Sequence, residues 1–357
     1  MKLITFNDLD KLAYGSAILG SGGGGNPVYD VQIVRHQIEL YGPVQLLSVE
    51  ELCADDFVVP IGMMGAPLIM VEKLPSGREF DAIIRSLMPQ IGGRRLVLMP
   101  VEVGGANAFA PFTIAGKLGV PVLDADLIGR AFPQLQMTAG HLAQVPASPA
   151  YFADSFGRTV VIHAHDLMGV EHLGRSVTVA MGSSAALAAY TMDGATAKKV
   201  VIPRTITQSL ELGEVGLQAI QEGCDPVEAI VKATQGVLLG SGILSDIQQE
   251  VNKGFLEGSF TLQVEEGTFD VAYQNEYLVA RRGEQVLVST PDIIMALEQD
   301  TGTPISSESL QYGLRVHLIG IPGPELWKSE AGLKVVGPRF FGYPFDYKPL
   351  NTRNVNE

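Results

Sequence analysis

Short apolar runs recur through the first half of the chain, at 57–65 (FVVPIGMMG), 95–103 (RLVLMPVEV), 120–126 (VPVLDAD) and 159–166 (TVVIHAHD). Each has the length of a buried strand. Between them, 29–42, 77–92 and 106–119 place apolar residues at helical spacing. Continuous apolar strands alternating with helices predict a mostly parallel sheet covered on both faces, a three-layer α/β arrangement.

Past residue 167 the pattern changes. Residues 177–202 read as a strand pair, and the stretch from about 205 to 235 as two helices. From 255 onward, SFTLQVEE, TFDVAYQNEYLVARR, EQVLVSTPDII and LRVHLIGIPG alternate or run apolar between glycine-containing turns, which is a β signal. The expected organisation is an N-terminal α/β domain over 1–166 and a C-terminal β-rich, barrel-like domain over 167–357 carrying the helices as an insertion. The boundary falls within 150–170, beside VPASPAYFADSFGR, a linker or surface loop.

Composition narrows the function classes. The chain has 357 residues, 46% of them hydrophobic, enough for more than one core. Its formal charge of −14 excludes a nucleic-acid surface: the paired arginines at 94–95 and 281–282 are isolated, and phosphate binding needs a local cationic excess. No run reaches the roughly 18 to 20 uninterrupted apolar residues of a membrane helix, and the N-terminus lacks a signal-peptide apolar core. Cys53 and Cys224, far apart in sequence, are the only cysteines, the sparse usage of a reduced compartment. A cytoplasmic protein is expected.

Candidate chemistry gathers at the strand ends. ILGSGGGGNP (18–27) sets Gly22, Gly23, Gly24 and Gly25 before Asn26-Pro27. The preceding segment is helical, so the strand-glycine-helix order of a dinucleotide loop is absent, as is the Gly-Lys-Ser/Thr ending of a phosphate loop. What remains is either a flexible turn or a nest of bare N–H donors suited to an anion or a polarised oxygen. Glu102 ends an apolar strand and precedes two glycines and Asn107, where ligands settle in open α/β sheets. Asp124 and Asp126, two apart at the next strand end, share a face, with Arg130 close by; either aspartate could instead cap a helix starting at LIGRAF. His163 and His165 alternate on a strand followed by Asp166, Glu171 and His172, a pattern that suits a divalent metal such as Zn or marks a strand leaving the core. Neither cysteine has a neighbouring histidine, and GSS at 182–184 lacks the GxSxG elbow, so no nucleophile is indicated.

Taken in order, ILGSGGGGNP, PIGMMGAPLIMVEKLPSG, PVEVGGANAFAP, PVLDADLIGRAFPQLQM, TPDIIMALEQDTGTPI, YGLRVHLIGIP and VGPRFFGYPFDY make the chain resemble the S-methyl thiohydantoin desulfurase-like family over nearly its whole length. The resemblance implies an N-terminal α/β domain and a barrel-like C-terminal one. It also implies a five-membered cyclic amide as substrate, a hydantoin or thiohydantoin from which water displaces sulfur. Relatives occur alone or with hydantoinase/oxoprolinase subunits, so such a protein is an expected partner.

A hydrolase-like reaction on that ring needs activated water, stabilised negative charge and a proton donor for sulfur. Glu102 or Asp126 is the expected base and Asp124 its partner. Gly22 to Gly25 would meet the developing charge, with Asn107 assisting and Arg130 fixing the substrate. A metal at His163 and His165 would generate hydroxide instead. The alternative is a non-catalytic subunit that binds a small cyclic amide or serves assembly. A homo-oligomer is expected, with GYPFDY near the C-terminus suited to a dimer interface.

Overall fold

The computed structural model describes residues 2–350 apart from Leu74 and Lys253. The chain opens with β1 (Lys2–Ile4), α1 (Phe6–Leu19), α2 (Val28–Tyr41) and β2 (Val44–Leu47). β3 (Phe57–Gly65), α3 (Pro67–Glu72), α4 (Arg78–Ile91), β4 (Leu96–Pro100), α5 (Phe112–Leu118) and β5 (Val122–Leu123) continue the alternation. Then come β6 (Ala125–Asp126), α6 (Ala139–Leu142), β7 (Ala150–Ala153), β8 (Thr159–Ile162), α7 (Leu167–Ala180), β9 (Ser184–Ala188) and β10 (Met192–Asp193).

The first sheet has the order β1-β2-β5-β4-β3-β9-β7-β8, with β10 paired to β3. Alternation along its strands feeds two cores. Val59, Ile61, Leu96 and Leu98 pack with α1, α2, α4 and α5, whereas Val58, Val97 and Met99 join α7 and Trp327 on the other face. α4 shows the driving pattern: Phe80, Ile83, Ile84, Leu87 and Ile91 form its buried stripe. The three-layer expectation is met.

The sheet is less parallel than the sequence suggests. β2, β5, β4 and β3 are mutually parallel, but β1 is antiparallel at one edge and β9, β7 and β8 are antiparallel at the other. The difference arises at 167–188. HDLMGVEHLGRSVTVA (165–180) lies wholly beyond β8 and contains no strand: the Asp166 side chain accepts from the Gly169 N–H (2.7 Å) and caps α7, which runs on to Ala180 through Val177, Thr178 and Val179. The chain then returns as β9 alongside β3, so the first sheet draws strands from beyond residue 166.

α8 (Gly194–Val200), β11 (Ile202–Pro203), α9 (Thr205–Glu222) and α10 (Pro226–Thr234) follow. The last two match the helices expected at 205–235, and α9 lies along α1, where Gly15 and Gly213 let the two backbones approach closely. The second sheet comprises β12 (Val237–Asn252), β13 (Phe255–Gln263), β14 (Thr268–Gln274), β15 (Glu276–Arg282), β16 (Gln285–Ser289), β17 (Ile293–Glu298), β18 (Pro304–Ile305) and β19 (Arg315–Ile321). All its ladders are antiparallel, in the order β16-β15-β14-β13-β12-β19-β17-β18. The sheet curls around its own core, because β16 at one edge passes through only 290–292 into β17 near the other. It is barrel-like without a closing ladder among the described residues.

α11 (Glu325–Lys328) and α12 (Glu330–Val336) carry the chain back to the first domain. Trp327 is fully buried there, donates from Nε1 to Ile128 O (2.7 Å) and meets Phe132 edge-on. This tie fixes the 127–138 loop, which forms one wall of the site described next. Among the described residues no helix is long and apolar enough to cross a membrane.

Candidate active site

The four glycines follow the C-terminus of α1 and fill the seam between the two domains. Gly22, Gly24 and Gly25 have φ of 82°, 72° and 81°, the left-handed region where a Cβ is strained. Packing adds a second constraint: a Cβ on Gly22 would enter the Tyr277 ring, one on Gly23 the Glu276 carboxyl, and one on Gly24 the Gly104 carbonyl. Gly104 and Gly105, which follow Glu102, lie back to back with Gly24 and Gly25, and the Ala106 N–H donates to Gly25 O (3.0 Å). The start of β15 is bound to the same turn, with the Tyr277 N–H donating to Ser21 O (2.6 Å) and Ser21 Oγ to Ile294 O (3.0 Å). The glycine run is a close-packed joint, and among the described residues the N–H groups of Gly24 and Gly25 donate to no acceptor.

Beside this joint lies a cavity of about 70 Å³ whose walls include Gly24, Gly25, Glu102, Asn107, Phe132, Arg175 and Glu276. Glu102 leaves the end of β4 and is held by both oxygens. Asn107 Nδ2 donates to Oε1 (2.6 Å) and the Phe132 N–H to Oε2 (3.1 Å). Asn107 is itself oriented by the Met63 N–H, which donates to its Oδ1 (2.7 Å). Glu276, at the first position of β15, projects over Gly23 from the C-terminal domain, and its Oε2 is buried without a partner among the described residues.

Burial dominates the electrostatics. It pushes the Glu102 carboxyl up to about 7, against the hydrogen bonds from Asn107 and Phe132. Burial first, and then the charge of Glu102, push Glu276 well above the usual carboxylate range. Two buried carboxyls beside one cavity, both pushed up and the more deprived of them the more so, have the difference in proton affinity that a base and an acid require. Behind them Arg130 is fully buried; burial draws its guanidinium down to about 10, while Glu276, Asp292 and Glu102, in that order, favour its charge.

The structure gathers only part of the expected residue set. Glu102, Asn107, Gly24 and Gly25 meet at the cavity, and Gly22 and Gly23 support it from beneath. Asn26 faces a different cavity, between α1, α2 and β18, and its Oδ1 accepts from the Val28 N–H (3.1 Å). Asp124 lies elsewhere: its carboxylate accepts from the Thr207 N–H (2.9 Å) and Oγ1 (2.6 Å), capping α9. Asp126 accepts from the Val103 N–H (2.7 Å) and the Gly129 N–H (2.8 Å), bracing two loops. No helix starts at LIGRAF, since 127–138 is an irregular loop. Arg130 donates to the carbonyls of Ala131, Pro291 and Asp292 and stacks on Phe132, 4.5 Å from the ring centroid, so it is a buried counter-charge and lines no wall of the cavity.

His163 and His165 are exposed in the turn between β8 and α7. Asp166 is engaged as the cap, and Glu171 is buried in an ion pair with Arg175 (2.7 Å), which takes both acids away from the imidazoles. Among the described residues no three His, Cys, Asp or Glu side chains are grouped to hold a metal ion. The geometry thus provides no ligand set at the histidine pair.

Glu276 and Arg175 were not singled out by the sequence. The signal for Glu276 was a carboxylate in YQNEY at the middle of a run read as one strand. Asn275, with φ of 57°, breaks that run, and its Oδ1 accepts from the Leu256 N–H (2.8 Å), aiming the next residue into the seam.

Comparison with known proteins agrees with this architecture. A solved crystal structure of a protein from Chromobacterium violaceum is similar, with a TM-score of 0.82 at 24% identity, over 98% of this chain and 100% of that one. No curated protein matches the chain. Two family models do: the S-Me-THD-like N-terminal domain over residues 7–164 and the S-Me-THD-like C-terminal domain over 164–350. These meet end to end across nearly the whole chain, which belongs to the S-Me-THD-like family.

Proposed function

We propose that the protein hydrolyses a five-membered cyclic thioamide, a thiohydantoin, replacing its thiocarbonyl sulfur by oxygen. Family membership directs attention to that ring. The observation that carries the chemistry is the meeting of Glu102, Glu276 and the uncommitted Gly24 and Gly25 amides around one small cavity.

Ionised Glu102 takes a proton from water as the oxygen bonds to the thiocarbonyl carbon. The C=S electron pair moves to sulfur, which faces the glycine amides and takes the Glu276 proton. Glu276, now ionised, removes the proton of the new hydroxyl as the carbonyl forms and hydrosulfide leaves. The proton held by Glu102 completes hydrogen sulfide and restores the site. Asn107 keeps the base in position through its 2.6 Å hydrogen bond. Asp124 and Asp126, engaged in the fold, take no part in this reading.

Sulfide release from 2-thiohydantoin by the purified protein tests the proposal. Glu102→Gln and Glu276→Gln should each lower the rate by roughly 10²- to 10⁴-fold, the usual worth of a positioned acid or base. Sulfide release at wild-type rate by either folded variant refutes it, and a protein that binds the ring without releasing sulfide would be the binding subunit of the alternative reading.

A further inference from the structure

The cavity at Glu102 and Glu276 is too small to hold a whole substrate. Its 70 Å³ is about half the roughly 150 Å³ of an engineered protein cavity that accepts benzene. It admits the reacting edge of a ring. Directly outside lies a groove of about 550 Å³, and Gln134 and Arg175 line both spaces, so these two side chains stand between the inner chamber and the outer groove.

One wall of the groove is a single face of α7. Met168, His172, Arg175, Ser176 and Val179 recur at helical spacing. Opposite stands Phe255, delivered from the C-terminal domain at the tip of the β12–β13 hairpin, with the Arg175 guanidinium 4.2 Å from its ring centroid. Met168 and Val179 are 58% and 54% exposed, large apolar side chains presented to solvent at the entrance of a polar cavity. The cation at the junction is already committed: Arg175 Nε donates to Glu171 Oε1 (2.7 Å) and Nη2 to Pro133 O. An acidic group would meet an arginine already paired with Glu171, leaving His172 as the other basic side chain on this wall, whereas an apolar group would cover the Phe255 edge and apolar surface along α7.

We infer that the substrate carries a large apolar substituent on its ring, which lies along α7 in this groove while the ring edge enters the cavity. The identity of the ring rests on the function proposed above; the preference for an apolar extension rests on the groove alone.

Calorimetric titration of the full chain with hydantoin, 5-benzylhydantoin and hydantoin-5-acetic acid tests this, with sedimentation velocity run on each sample. Each buried methylene tightens binding roughly fourfold, so a benzyl group partly covered by the groove should bind roughly tenfold or more tighter than the bare ring. The double variant Met168→Asp/Val179→Asp, changed at two exposed positions about 16 Å apart along α7, should reduce that ratio towards one. A ratio near one in the wild type, a ratio unchanged in the double variant, or tightest binding of the acetic acid derivative overturns the inference. So does conversion of a dimer to a monomer by the double variant, which would assign this face to a second copy of the chain. If no ring binds, both this inference and the proposed function fail; if benzyl selectivity holds but 5-benzyl-2-thiohydantoin releases no sulfide, only the hydrolytic proposal fails.

Discussion

Burying Glu102 has a thermodynamic consequence that is independent of turnover. In the unfolded chain its carboxyl loses its proton near 4.5, whereas in the folded protein burial holds the proton to about 7. Between those values the folded state binds more protons than the unfolded one, so stability falls as pH rises through the window and levels off above it. At about 1.4 kcal/mol for each pH unit, the loss from this one residue is about 3 kcal/mol. Glu102→Gln removes the titration and keeps the side-chain volume. Its amide, like the protonated carboxyl, offers one acceptor oxygen to the two donors Asn107 and Phe132, so the variant resembles the wild type at the acid end of the window. Urea unfolding at pH 5, 6, 7 and 8 should therefore give a shallower decline for the variant, with the difference in unfolding free energy moving by about 2.5 kcal/mol in its favour between pH 5 and 8. Asp126 and Glu276 titrate in both proteins, and the variant removes the Glu102 charge that holds each of them up, which flattens its decline further. Parallel pH profiles would mean that Glu102 is ionised throughout, and the cavity would then lack the poised base on which the proposed reaction depends.

Other residues separate chemistry from support. The rate of sulfide release at limiting substrate should rise with pH and reach half its plateau near 7 as Glu102 ionises; a flat profile from pH 5.5 to 8.5 argues against its role as base. Asp124→Ala leaves the buried Thr207 N–H and hydroxyl unpaired and should lower unfolding free energy by about 1–3 kcal/mol, with turnover per folded molecule retained; a folded but inactive variant would return Asp124 to the site. Gly23→Ala forces a methyl group into the Glu276 carboxyl and should cost activity at least tenfold along with some stability, measured by sulfide release and thermal melting, whereas a variant with wild-type values in both would show that the joint is loose.

The repeating layers were legible because their signal is local. The stripe of α4 and the alternating cores of β3 follow from spacing within one segment. α7 was harder, since Val177, Thr178 and Val179 favour strand on their own and the capping of its first turn by Asp166, eleven or more residues away, outweighs them. The strand-end rule points to Glu102, Asp124 and Asp126 alike; the fold brings Glu102 to the cavity and engages the two aspartates elsewhere, because a carboxylate at a strand end also satisfies nearby N–H groups, and these two have them within 3 Å. Glu276 belongs to another class. It lies 174 positions along the chain from Glu102 by residue number, in a strand with no catalytic texture, and its placement depends on Gly23 having no side chain. The two carboxyls of the cavity come from different domains, and the packing of β15 against the glycine joint brings them together. The four glycines were visible from the outset; they mark the place where two separately encoded surfaces had to come into contact.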